Sequence, residues 1–114
     1  MRLIERWLAR RETKDEELVF VDLVTGHASA RFKWVDVRPD DERVRAPFEH
    51  ADAALSVDRL RTNQPLPLRK RSELVVFGSD AAETREATSI LERRGYEVLP
   101  APRGYETLRR HGLL

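Results

Sequence analysis

The feature that most constrains the fold is a strand–loop–helix pattern over residues 73–95. The apolar run 74–77 ends at Gly78, and Asp80 with Glu83, at capping-box spacing, begins a helical pattern directly afterwards. A buried strand that ends at a helix N-terminus brings several backbone N–H groups together, and the helix dipole favours negative charge beside them. The pattern therefore predicts a tight loop of the kind that holds an anion or an activated nucleophile.

Strand and helix patterns alternate along the rest of the chain. Predicted helices cover residues 2–10 in the N-terminal segment 1–12, residues 40–44 with Asp40 or Asp41 as N-cap, and a last turn around Tyr105 and Leu108. Predicted strands cover residues 18–24, 32–37, 53–57 and 98–99. This alternation predicts one α/β domain over residues 1–114, with a mainly parallel sheet between two layers of helices.

Composition excludes several kinds of chemistry. The 114 residues include no cysteine, which excludes disulfides, thiolate metal sites and every thiol-based mechanism. The formal net charge of +1 creates no global field that would attract nucleic acid or a membrane. His27, His50 and His111 share no metal-ligand spacing, so we predict neither a metal nor a cofactor. Charged residues interrupt the apolar positions of segment 1–12, and we expect a cytoplasmic protein without a membrane span.

Two stretches resemble the rhodanese (sulfurtransferase) family. Residues 34–38 read Trp-Val-Asp-Val-Arg, which is similar to that family's strand ending in Asp-Val-Arg. Residues 49–57 read Glu-His-Ala-Asp-Ala-Ala-Leu-Ser-Val, where the family has Gly-His-Ile-Pro-Gly-Ala-Ile-Asn-Val. Residues 75–78 read Val-Val-Phe-Gly, where the family has Val-Val-Tyr-Cys. Further matches follow at Thr84, Gly95-Tyr96, Val98, Arg103-Gly104-Tyr105 and Gly112-Leu113. The resemblance is strongest over residues 34–114 and implies a single three-layer α/β/α domain.

The departures from the family pattern fall at the chemical positions. The resemblance places the nucleophilic cysteine of the family at Gly78, which has no side chain to form a covalent intermediate. The loop arginine of the family falls on Glu83, and Asp80 adds a second carboxylate, so a small anion is disfavoured. The resemblance thus predicts an active-site loop without catalytic residues. This loop, called the 78–83 loop below, consists of Gly78, Ser79, Asp80, Ala81, Ala82 and Glu83.

Four further residues are predicted neighbours of this pocket: Asp36, Arg38, His50 and Arg85. Asp36 and Arg38 are expected to form an internal salt bridge that holds the strand end. Ser79 is expected to be a plain loop residue, since a serine nucleophile needs an adjacent base and only His50 is offered by the resemblance. Arg85 could reach toward the loop, but its place on the first helical turn favours a solvated side chain.

The leading hypothesis is a catalytically inactive rhodanese-like domain that acts as a binding or regulatory module, with another protein as its partner. One alternative is an enzyme that reuses the pocket, with Asp80, Glu83 or His50 as acid–base groups. A second alternative is a structural or assembly protein that uses its N-terminal helix. The basic clusters 69–71, 93–94 and 109–110 could contact RNA or an acidic partner, but the absence of interleaved aromatic residues disfavours nucleic acid and favours solvated faces.

Overall fold

The computed structural model describes residues 2–10, 15–26 and 31–114, which form a four-stranded parallel sheet with helices on both faces. The strands are β1 (Lys33–Asp36), β2 (Ala53–Ala54), β3 (Glu73–Phe77) and β4 (Glu97–Pro100), in the order β2-β1-β3-β4. The helices are α1 (Leu3–Arg10), α2 (Glu16–Gly26), α3 (Asp40–Arg45), α4 (Val57–Arg61), α5 (Ala81–Arg93) and α6 (Tyr105–Arg110). The prediction of an α/β fold with a parallel sheet is confirmed.

Side chains of the central strand β3 alternate between two hydrophobic cores. Leu74 and Val76 join the core under α4 and α5, whereas Val75 and Phe77 join the core under α1, α2 and α6. A strand whose two faces are both covered reads as a continuous apolar run, which is the pattern seen at 74–77. The central position of β3 therefore places the loop that follows it in the middle of the carboxyl edge of the sheet.

The predicted N-terminal helix is confirmed as α1, and its apolar side is buried. Leu3 and Trp7 lie in the core under α2 and α6. The first turn is joined to the sheet, because the Leu3 N–H donates to Glu73 Oε2 at 2.9 Å. A carboxylate at a helix N-terminus satisfies an unpaired donor and interacts favourably with the dipole. Residues 11 and 12 of the predicted segment lie outside the described residues.

The strand predicted over residues 18–24 is wrong, since this stretch belongs to α2. Asp15 begins the helix, and its Oδ1 accepts hydrogen bonds from the N–H groups of Glu17 and Leu18 at 2.9 and 3.2 Å. The buried residues Val19, Phe20 and Leu23 then follow helical spacing. The abundance of β-branched and aromatic residues suggested a strand, but the N-terminal cap and burial on one face of a helix override that weak preference.

Two smaller predictions are corrected by helix caps. Only Ala53–Ala54 of the predicted strand 53–57 is extended, because the Ser56 side chain accepts from the Arg59 N–H at 3.4 Å and caps α4. At α3, neither Asp40 nor Asp41 is the N-cap: Pro39 holds that position, and no side chain caps the helix. The predicted strands 32–37, 74–77 and 98–99 and the predicted helix 40–44 are confirmed to within one residue at each end. The last turn predicted around Tyr105 and Leu108 is the start of α6, which continues to Arg110. No helix in the described ranges is long and apolar enough to span a bilayer.

Candidate functional site

The 78–83 loop joins β3 to α5 and carries the N-terminal cap of that helix. The Asp80 side chain accepts a hydrogen bond from the Glu83 N–H at 2.8 Å, as the spacing of the two residues predicted. The second bond of a capping box would return from Glu83 to the N–H of the cap residue. Here the Glu83 carboxylate reaches one residue further back, to the Ser79 N–H at 2.7 Å.

The first two N–H groups of the loop therefore already have acceptors inside the protein. The Gly78 N–H donates to Thr84 Oγ1 at 2.8 Å, and the Ser79 N–H donates to Glu83 Oε1. A carboxylate of the protein itself thus lies where an external anion would otherwise accept the hydrogen bond from the Ser79 N–H. Both acceptors belong to nearby residues of α5, so the N–H groups of Gly78 and Ser79 are satisfied within the protein.

A side chain at position 78 would overlap the Glu83 side chain, although the backbone φ of Gly78 lies outside the left-handed region. A Cβ atom at this position would lie 2.8 Å from both Glu83 Cγ and Glu83 Oε1. The opposite side of the loop is closed by Gly104, where a Cβ would lie only 2.4 Å from the Gly78 carbonyl oxygen and where φ is +59°. Because Gly104 is small, the Tyr105 N–H can donate to that carbonyl oxygen at 2.7 Å.

Ser79 has a partner that the sequence did not predict. Its hydroxyl group hydrogen-bonds the carboxylate of Glu42 in α3, a residue 37 positions away in the sequence. No imidazole takes part in this pair, so the structure does not form the Ser79–His50 pairing that was considered for a serine nucleophile; the partner is a carboxylate. The Thr84 contact was also missed as a site feature, although Thr84 belongs to the residues that match the family pattern.

The predicted Asp36–Arg38 salt bridge is confirmed and buried. The Arg38 Nη2–Asp36 Oδ2 distance is 2.8 Å, and the side chains of Arg38 and Asp36 are only 2% and 3% exposed. The guanidinium group lies 4.4 Å from the Tyr105 ring centre and also donates to the Ala46 carbonyl oxygen at 2.7 Å. Arg38 is thus held by the protein and is not open to an anion from solvent.

The other two predicted neighbours, His50 and Arg85, are both exposed. The His50 ring lies against Phe48, with ring centres 5.4 Å apart, and no hydrogen bond or ion pair within the described residues joins His50 or Arg85 to the 78–83 loop. His27 lies outside the described residues. No group of three potential metal ligands occurs in the part of the chain that the structure describes.

An acidic cleft of about 720 Å³ lies beside the loop, where the N-termini of α3, α4 and α5 meet. Six carboxylates line it: Asp40, Asp41, Asp58, Asp80, Glu83 and Glu86. Its two arginines are both paired, Arg59 with Asp40 at 2.8 Å and Arg61 with Glu86 at 2.7 Å. The hydrogen bond from Arg61 lowers the pKa of the Glu86 carboxyl group below its usual value. The cleft therefore disfavours a small anion on electrostatic grounds.

Replacing Gly78 with alanine is expected to lower the free energy of unfolding by about 1–3 kcal/mol, because the new methyl group overlaps Glu83. In a Glu83→Ala background the same replacement should cost less, because Cγ and the carboxylate are removed while the Cβ atom, 3.0 Å away, remains. Urea unfolding of the four proteins in this double-mutant cycle measures the coupling. Gly26→Ala is the matched control, since no atom of the described residues lies within 4 Å of its added Cβ. An equal cost of Gly78→Ala in both backgrounds would contradict the proposed overlap.

Comparison with known proteins identifies the fold. No protein-family model and no curated protein matches the chain. Among solved structures, a rhodanese-related protein from Thermoplasma volcanium matches with a TM-score of 0.64 and 16% identity, covering 82% of this chain and 89% of its own. A rhodanese homolog from Thermus thermophilus matches with a TM-score of 0.54 and 22% identity, over 71% and 87%. A full-length protein from Lactobacillus plantarum gives 0.61 and 19%, over 83% and 78%.

These matches define a class of domain: the chain has a rhodanese-like α/β fold. Within that class it is a cysteine-free variant, and a glycine follows the central strand where the resemblance places the nucleophile.

Proposed function

We propose that this protein is a rhodanese-like domain without sulfurtransferase activity, which acts as a binding or regulatory module for another protein. The observation that carries the proposal is the 78–83 loop itself. Gly78 stands at the position of the nucleophile, and the Glu83 carboxylate accepts from the loop N–H group of Ser79. Loss of a nucleophile alone would leave the loop N–H groups open to an anion, whereas here the protein's own carboxylate already accepts from one of them.

The chemistry of sulfur transfer supports the same conclusion. A sulfane sulfur atom must be held on a thiolate, and the chain contains no cysteine. An anionic donor such as thiosulfate would also approach two carboxylates, Asp80 and Glu83, with no unpaired arginine among the residues lining the adjacent cleft. Charge repulsion therefore opposes binding of the donor as well as the reaction.

The alternative functions would need contacts other than those observed. Acid–base catalysis would require Asp80 to leave its capping bond and Glu83 to leave the Ser79 N–H. Assembly through the N-terminal helix would require a face other than the one that buries Leu3 and Trp7.

We expect no thiosulfate:cyanide sulfur transfer from the purified protein above the rate of a Ser79→Ala variant. Ser79 carries the only hydroxyl group in the 78–83 loop, so this variant removes the last side chain there with nucleophilic character. The measurement is thiocyanate formation at saturating thiosulfate. Turnover by the wild-type protein clearly above that of the variant would disprove the absence of sulfurtransferase activity.

A further inference from the structure

A second groove, of about 360 Å³, lies at the amino edge of the sheet, opposite the acidic cleft. The parallel register aligns the strand starts at this edge, with Lys33 beside Leu74 and Glu73 beside Glu97. Five cations and one acid, Glu73, line the groove. The cations, which together define the basic groove, are Arg2, Arg31, Arg69, Lys70 and Arg71. Since the whole chain carries a formal net charge of only +1, this positive charge is a local feature of the fold.

The carboxylates near the basic groove are already engaged. Glu73 accepts from the Leu3 N–H, and Glu97 forms an ion pair with Arg2. Lys70 also has internal partners, since its Nζ donates to the Arg94 carbonyl oxygen at 3.1 Å and lies over the Tyr96 ring. The remaining cations of the groove have no carboxylate partner in the described ranges, and all of them are exposed. They are Arg31, Arg69 and Arg71.

The backbone at Arg71 adds an independent observation. Its φ is +66°, a left-handed conformation in which a side chain is strained and glycine is favoured. The turn is closed by Ser72, whose N–H donates to the Arg69 carbonyl oxygen at 3.2 Å. An arginine in this position projects a cation from a strained turn, and strain of this kind is concentrated at functional sites.

We propose that the basic groove binds an acidic segment of a partner protein, with carboxylates held by Arg31, Arg69 and Arg71. This inference rests on the proposed binding function and names the chemistry of the partner. Guanidinium groups pair with carboxylates in a bidentate geometry, and three unpaired ones in a small groove suit a short run of Asp or Glu.

Two other occupants agree less well with the groove. Single-stranded nucleic acid is usually held by exposed aromatic rings, and the exposed large hydrophobic residues of the described part are all aliphatic. A second copy of this chain would present the acidic cleft as a matching charge. That cleft is itself a hollow, so it cannot enter the groove.

The test is fluorescence anisotropy at low salt with labelled hexaglutamate as the probe, and a labelled single-stranded RNA of similar charge as the second arm. We expect saturable peptide binding that weakens as salt rises. The Arg69→Glu/Arg71→Glu variant should raise Kd by about tenfold or more, as expected when interface charges are reversed. The matched control, Arg45→Glu/Arg103→Glu, makes the same charge change beside the acidic cleft and in the loop before α6, and should change Kd little.

The Arg71→Gly variant distinguishes a loss of affinity for the peptide from a loss of folding stability. This variant removes the cation and also relieves the left-handed strain, so its unfolding midpoint should equal or exceed that of the wild type while its affinity for hexaglutamate falls. The proposal is overturned if hexaglutamate does not bind saturably, if the control double variant weakens binding equally, or if the RNA binds more tightly than the peptide. Sulfur transfer by the same preparation would instead overturn the proposed function and leave the peptide result unaffected.

Discussion

Replacing Asp36 with alanine should lower the free energy of unfolding by about 3–5 kcal/mol, the usual cost of breaking a buried ion pair. The reason is that Arg38, which is 1% exposed, would keep its charge in the interior without its carboxylate partner. The Tyr105 ring and the Ala46 carbonyl oxygen would still contact the guanidinium group, but neither carries a compensating charge. Urea unfolding followed by circular dichroism gives the measurement.

The informative control adds Arg38→Met to the Asp36→Ala variant. This second change removes the unpaired charge and keeps much of the side-chain volume between Phe77 and Tyr105, so it should recover part of the lost stability. Recovery would identify desolvation of an unpaired charge as the main cost. If the second change instead adds a further loss of similar size, packing of the arginine itself dominates and the electrostatic explanation is wrong.

Replacing Trp7 with alanine should cost about 3–5 kcal/mol of unfolding free energy, as is typical for truncation of a buried aromatic side chain. Trp7 is 3% exposed and lies in the core that also contains Phe77 of the central strand. The resulting cavity would lie between α1 and the rest of the domain, since α1 contacts α2 and β4. The measurement is again urea unfolding, with size-exclusion chromatography of the folded variant.

Leu8→Ala is the matched control on the same helix, because Leu8 is 52% exposed. We expect it to change stability by no more than about 0.5 kcal/mol. The pair of variants also tests the assembly alternative. If Leu8→Ala changes the oligomeric state while stability is unaffected, α1 serves as an interaction surface as well as a packing element.

The best-predicted part of the molecule is the strand–loop–helix unit over residues 73–95. Its signals are local: a short apolar run, a capping residue at Asp80 and a glycine stop at Gly95, whose φ is +95°. Each signal acts within a few residues, so it can be recognised from the sequence alone. The misassigned α2 shows the opposite case, since a run rich in β-branched residues became helical through the cap at Asp15 and burial of one face.

The candidate site also combines features that could be predicted from the sequence with features that could not. The absence of a nucleophile at Gly78 and the acidic replacement at Glu83 could be predicted, because the resemblance aligns them without a gap. The partners of these residues could not, since the contact of Ser79 with Glu42 spans 37 positions, and no periodic pattern encodes it. The basic groove also combines residues that are distant in the sequence, because the pairing of β1 with β3 brings Arg31 to the same edge of the sheet as residues 69–71.

By itself the sequence determined the class of fold, the lack of thiol chemistry and the acidity of the 78–83 loop, because these follow from residue types and short-range spacing. Only the tertiary structure decided that the Glu83 carboxylate accepts from the Ser79 N–H and that Arg38 is shielded by aromatic rings. It also decided that three arginines without a carboxylate partner in the described ranges share one groove. Those features depend on where a parallel sheet places distant segments, and side-chain directions in the folded chain, not composition, determine which charges meet.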